Sequence, residues 1–355
     1  MGVNMTFDCR KTNPTYKSWH ELYVVKHHDG AYVNSGILNQ KKIAISEAQG
    51  YGMLITALAA SKQEANQKEF DALMVYYNQH TISDINHLMA WKQVYTSGKM
   101  VTDTVNNTNA TDGDLDIAYA LLKADKLWGS QGNYNYRGIA NDLMRDLLNY
   151  NYNVHNQSLY LGDWAKNDKR YQYLVRTSDL IPMYFKVFFE KSHDKRWLSL
   201  YNQSINTLKI LSDRSTAGLF PDFVWIKNGQ IINAEPNTLE SANDGVYGWN
   251  ANRIPFRLAY DTDDSELRKI NNKLLQFFEQ RHRLTAVYDL SGKSLNNYTS
   301  MAFTAPIAVA ANQQKNVVNT FAEKIVQQVK TTSLTGNYYA DTLQMLAMLI
   351  FDNAQ

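Results

Sequence analysis

Three carboxylates at alternate positions, Asp112, Asp114 and Asp116, open the apolar segment ATDGDLDIAYALLKADKLW at 110–128. Acids so placed can accept the free N–H groups of a helix start or ligate a cation. Asp at positions 1, 3 and 5 would begin a calcium loop, but position 6 is Ile117 rather than Gly and position 12 is Lys123 rather than Glu. Calcium is therefore discarded. The eight His show no HExxH or paired spacing, and no GxSxG, P-loop or GxGxxG run occurs. The single cysteine, Cys9, leaves no internal disulfide, zinc or Cys-nucleophile pattern. No metal and no cofactor is expected.

Two further stretches carry acids. In Ser46-Glu47-Ala48-Gln49-Gly50-Tyr51-Gly52-Met53, Ser46 with Gln49 three residues on predicts a capping box, with Glu47 in the first helical turn. Each of the two glycines opposes the helix by about 1 kcal/mol relative to Ala, so another backbone or a ligand is expected to approach there. In the second stretch a polar loop with Glu240 and Asp244 runs through Tyr247, Trp249 and Asn250 into a helix bearing Arg253 and Arg257, one turn apart and on one face.

The elements that must position these residues read as helices over 46–61, 66–79, 83–92, 112–127, 136–149, 178–192, 196–211, 249–261, 264–280, 300–311, 316–330 and 338–352. Few alternating strands are convincing; pieces near 219–227 and 229–233, around Asn228-Gly229, predict a hairpin with a primed turn. A dozen helices without a linker or low-complexity tract predict an all-α fold, layered helix on helix, as a single domain over 1–355.

The Asp112 segment resembles the signature of glycoside hydrolase family 8, in which an A-[ST]-D-G-D run opens a helix that ends near a Trp. The Ser46–Met53 run is similar to that family's S-E-G-Q-G-Y-G-M, with Ala48 replacing the usual Gly. The resemblance implies an (α/α)6 barrel of six inner and six outer helices, with the hairpin in its loops, acting as an inverting endo-glycosidase. It makes Glu47 the proton donor and gives Asp112 a hydrogen bond to the sugar at the cleavage point. Many members carry a catalytic Asp where this chain has Asn250; the branch with Asn there takes its base from a Glu on the preceding loop. The resemblance thus assigns the base to Glu240, with Asp244 second. Substrate contacts are expected from Tyr51, Trp91, Asp114, Tyr247, Trp249, Arg253, Tyr338 and Tyr339, and more weakly from Arg176–Asp179.

The Glu47 assignment contains a tension. A carboxylate near a helix N-terminus is stabilised as the anion, whereas a general acid needs a raised pKa. Burial among Tyr51 and Trp91, or the neighbouring charge of Asp112, is expected to outweigh the helix. Whichever guanidinium of Arg253 and Arg257 faces the cleft is expected to anchor Asp112.

Lys and Arg total 36 against 34 Asp and Glu, with no long run of either sign, so nucleic acid is not an expected partner. The 23 Tyr and 7 Trp offer flat rings with a polar edge, which suit an unbranched polysaccharide. A β-glucan is the expected substrate and chitosan the alternative within the family; a catalytically inactive carbohydrate-binding barrel is the rival reading. No 18-residue apolar run or N-terminal leader occurs. An extracellular monomer whose leader is absent from this chain is expected, with the cytoplasm as the other compartment. Met1-Gly2 with Thr6 fits a myristoylation pattern that is read as chance.

Overall fold

The structure, a computed structural model, describes residues 12–260, 264–313 and 320–351. Cys9, the Met1-Gly2 start with Thr6, and the margins of the predicted helices at 261, 316–319 and 352 lie outside them.

Twelve α-helices run through the described residues: α1 (Tyr16–Tyr23), α2 (Ser46–Ser61), α3 (Gln67–Gln79), α4 (Thr111–Trp128), α5 (Tyr136–Asp146), α6 (Pro182–Ser192), α7 (Lys195–Arg214), α8 (Ile254–Ala259), α9 (Ser265–Glu279), α10 (Met301–Asn312), α11 (Thr320–Thr331) and α12 (Tyr338–Phe351). The even-numbered helices close an inner ring. There α2 packs on α4, α6 on α8, α8 on α10, α10 on α12 and α12 on α2, while α4 meets α6 through the stacked rings of Tyr119 and Tyr184, 4.0 Å apart. The odd-numbered helices lie outside, with α3 on α2, α5 on α4, α7 on α6, α9 on α8, α11 on α10 and α1 on α12. This is the expected (α/α)6 barrel.

Sequence decides which ring a helix joins. In α10 every residue from Met301 to Ala311 is buried, so the helix can only sit with neighbours on all sides. In α9 the buried residues Leu267, Ile270, Asn271, Leu274, Leu275 and Phe278 follow the 3–4 spacing of a single stripe, and the other face meets water.

Three expectations need correction. Residues 83–92 are not helical: Thr81–Ser83 pairs antiparallel with Asn86–Met89, and the chain continues into the strand Lys92–Thr96. The Met89 N–H is taken by Asp114 rather than by a helical carbonyl. Helix α1 precedes the region read as helical; Thr15 caps it by accepting from the Ser18 N–H. The predicted capping box of α2 does not form. Ile45 occupies the cap position, the Ser46 hydroxyl finds no partner, and Gln49 instead binds Val33 N, Ala31 O and Leu73 O, tying α2 to its surroundings.

Short strands join the helix ends more often than the sequence suggested, because two to five residues leave little alternation to read. The predicted hairpin is present as Phe223–Lys227 paired with Gln230–Asn233. Its turn residues Asn228 and Gly229 have φ of 52° and 74°, as a primed turn requires. The strand Leu174–Arg176 extends it on the other edge, setting Arg176 opposite Phe223.

The glycines of α2 and α4 let the two helices touch. A Cβ on Gly50 would stand 2.8 Å from the Gly113 carbonyl oxygen, and one on Gly113 would stand 2.6 Å from the Ser46 carbonyl carbon. The expected close approach is backbone to backbone. It brings the first turns of both helices, with Glu47 and Asp112, to the same mouth of the ring.

Candidate active site

A cleft of about 320 Å³ opens at that mouth. Glu47 and Asp112 come from the inner helices, Glu240 from the loop before α8, Asn250 from the turn leading into α8, and Arg176 from the strand end. Trp91, Trp249 and Tyr339 supply its rings.

Glu47 keeps 19% of its side chain exposed. It accepts from Tyr338 OH at 3.2 Å and from Arg253 Nη1 at 3.3 Å. Burial pushes its pKa up to about 7; Arg253 opposes and the charge of Asp112 reinforces the rise. The helix N-terminus is therefore outweighed, burial first, and the carboxyl can carry a proton near neutrality.

Asp112 differs although it lies beside Glu47. Burial would raise its pKa too, but Arg176 and Arg253 outweigh burial and hold it below the usual carboxylate range. Arg253 Nη1 donates to Asp112 Oδ2 at 3.0 Å, so of the two arginines it is Arg253 that supplies the expected anchor. One turn deeper Arg257 Nη2 donates to Asp116 Oδ2 at 2.6 Å and Nη1 to Oδ1 at 2.7 Å. Residues four apart on facing helices thus form two rungs of a buried ladder, and only the outer rung reaches the cleft.

Glu240 is 42% exposed and is gripped from two sides. Arg176 Nη2 donates to Oε1 at 2.8 Å, and Asn250 Nδ2 donates to Oε2 at 2.9 Å. Burial raises its pKa, but Arg176 and the amide of Asn250 outweigh it and hold the carboxylate ionised below its ordinary value. Asn250 Oδ1 accepts from Arg253 Nη2 at 3.0 Å. The chain Glu47–Arg253–Asn250–Glu240 is therefore continuous.

Asp244, the second choice of base, is fully buried. It accepts the backbone N–H groups of Leu239, Glu240 and Ser241 at 2.7, 3.0 and 3.0 Å. Both oxygens are spent on shaping the loop that carries Glu240.

Other expected contacts divide the same way. Trp91, Trp249 and Tyr339 line the cleft, and Tyr338 holds Glu47. Tyr51 and Arg253 lie behind the wall, joined by a 3.3 Å bond, and support the acids rather than meeting a ligand. Asp114 is displaced from the cleft: it is fully buried and bound by Met89 N and Asn109 Nδ2, because two positions along a helix turn a side chain about 200° away from Asp112. Tyr247 is also displaced. Its ring is buried against Phe278, Tyr288 and Phe303 inside the core.

Sequence reasoning gave no role to Asp222, which accepts from the N–H groups of Gly248, Asn250 and Ala251 and so shapes the entry to α8. Burial raises its pKa to about 7. Nothing in the local run Phe220-Pro221-Asp222 signals partners more than 25 positions away.

Comparison with known proteins shows the family and the fold. The sequence profile described as Glycosyl hydrolases family 8 matches residues 5–353. A beta-glucanase of Niallia circulans is 32% identical over 345 residues, covering 94% of this chain and 82% of its own. An endoglucanase of a Bacillus species is 28% identical, over 94% of this chain and 74% of its own. Among solved structures, the apo beta-1,3-1,4-glucanase of Paenibacillus sp. X4 superposes with a TM-score of 0.87 at 31% identity, covering 96% of this chain and 90% of that one. A cold-adapted family 8 xylanase, at 20% identity and a TM-score of 0.75, shares the fold.

Proposed function

The chain belongs to glycosyl hydrolase family 8, and from that premise we propose that it cleaves internal β-1,4 linkages of an unbranched β-glucan with inversion at the anomeric carbon. It is an endo-β-glucan hydrolase; the beta-glucanase and endoglucanase relatives support that substrate class. Likeness to a beta-1,3-1,4-glucanase favours a mixed-linkage chain, with chitosan as the alternative.

One observation carries the mechanism: two carboxyl groups of one cleft have opposite protonation preferences, Glu47 raised to about 7 and Glu240 held low. Unequal neighbours that push two acids apart assign the donor and the base. Glu47 protonates the glycosidic oxygen as the C1–O bond breaks. Glu240 takes a proton from a water that bonds to C1 on the opposite face, so the product has the inverted anomer. Asp112, ionised and anchored by Arg253, hydrogen-bonds the sugar at the cleavage point and stabilises the positive charge that develops there. Trp91, Trp249 and Tyr339 give the chain faces to stack on. A substrate too large to enter a cell fits an extracellular enzyme.

The test is a panel of mixed-linkage β-glucan, cellulose derivative, chitosan and xylan, read by new reducing ends, with the first anomer formed read by NMR. Release from β-glucan with the inverted anomer is expected. Retention of configuration would overturn the mechanism, and preference for chitosan would move the substrate to the alternative.

A further inference from the structure

Glu240 differs from the other acids of the cleft in resting on a loop rather than a helix. Asp244 shapes that loop through backbone N–H groups alone, which leaves the Glu240 side chain to be placed by what it meets. It meets two groups, the Arg176 guanidinium and the Asn250 amide.

Arg176 is held from below. Its backbone pairs with Phe223 in the three-stranded sheet, its guanidinium lies 5.4 Å over the Phe223 ring, and Thr177 next to it is fixed by Pro221 O at 2.6 Å and Asp222 O at 3.0 Å. Only 11% of the side chain is exposed. From that position one positive charge faces three carboxylates: Glu240 at 2.8 Å, Asp179 at 3.5 Å and Asp112 at 3.9 Å. Glu47 instead takes its hydrogen bonds from Tyr338 and Arg253. The cation thus helps hold Glu240 and Asp112 ionised, while burial keeps Asp179 raised and Glu47, hydrogen-bonded elsewhere, feels the cation only as a lesser influence.

We propose that Arg176 is a positioning residue of the hydrolysis, drawing the loop-borne carboxylate of Glu240 into the cleft and keeping it ionised opposite Glu47. This rests on the reading of Glu240 as the base. The groups facing Glu240 are Arg176, Asn250 and, further off, Arg253 and Asp222. Loss of the Arg176 charge leaves Asn250 as the main hydrogen-bond donor to Glu240, so its pKa rises and the acid limb of the rate profile moves to higher pH.

The experiment compares Arg176→Met, Arg176→Lys and Glu240→Gln on soluble β-glucan, measuring kcat and KM separately across pH 3–9, with thermal melting to verify folding. For Arg176→Met a kcat loss of about 10- to 100-fold is expected, as for partial loss of a general base, with a smaller change in KM and an acid limb shifted upward. Arg176→Lys keeps the charge but not the fork; it should restore the acid limb while recovering only part of kcat. It also serves if the Met variant does not fold. If Glu240→Gln is inactive while Arg176→Met keeps the wild-type acid limb and kcat, the proposal is overturned and the base assignment stands. If Glu240→Gln retains full activity, the base assignment fails first, and Arg176 falls with it.

Discussion

Arg253 Nη1 lies 3.3 Å from Glu47 Oε2, yet the Glu47 carboxyl is raised to about 7. A guanidinium this close ordinarily favours the anion. Here burial is the larger effect and the same guanidinium is committed to Asp112 at 3.0 Å and to Tyr51. The donor is left neutral enough to give up a proton.

Rate should therefore fall on the alkaline side as Glu47 loses its proton near pH 7 and on the acid side below the ordinary carboxylate range, where Glu240 becomes protonated. Glu47→Gln keeps the shape and cannot donate; turnover of polysaccharide should drop at least about 100-fold with the fold intact. A variant keeping more than about a tenth of the wild-type rate would rule Glu47 out as the acid.

Glu240→Ala should abolish turnover of polysaccharide yet respond to azide, a small nucleophile that needs no base. Asp244→Ala should act differently. It frees three backbone N–H groups of the same loop, so partial activity without azide rescue is expected, together with easier proteolysis of the loop. NMR of any glycosyl azide decides which acid was the base; azide rescue of the Asp244 variant alone would exchange the roles.

Burial raises Glu47, Asp179 and Asp222 to about 7 and Asp114 to about 8. The folded chain thus binds protons that the unfolded chain releases near pH 4, and this contribution to stability is lost as pH rises through 7 to 8. Melting temperature should decline between pH 5 and pH 8.5. Asp114→Asn, which keeps the shape of a group outside the cleft, should flatten that decline; an unchanged slope would show that Asp114 is ionised in the fold.

Gly113→Ala would force a methyl group to within 2.6 Å of the Ser46 backbone. Separating α2 from α4 should cost about 1–3 kcal/mol and lower activity as well, because Glu47 and Asp112 ride on the two helices. The control is Gly132→Ala, where a Cβ meets no atom within 4 Å. Equal melting temperatures for the two variants would remove the packing argument.

The sequence by itself determined most of the helices, their packing in layers and the acids worth watching, while the six-and-six ring came from the family resemblance. Helix formation depends on neighbours three and four residues away, and the split between all-round apolar helices such as α10 and one-sided helices such as α9 is written in that spacing. The run at 112–116 and the Asn-Gly turn at 228–229 are equally local. Tertiary structure decided where each acid points and what it faces. Asp112 reaches the cleft, Asp114 turns to Met89 and Asp116 pairs with Arg257 deeper in the ring, although all three look alike in sequence. Arg176 finds Glu240 across 64 residues, and Arg253 finds Glu47 across 206. Such pairs arise when helices close into a ring and gather their first turns and the loops between them at one mouth; burial and guanidinium charge, set by that closure, then decide which carboxyl keeps its proton.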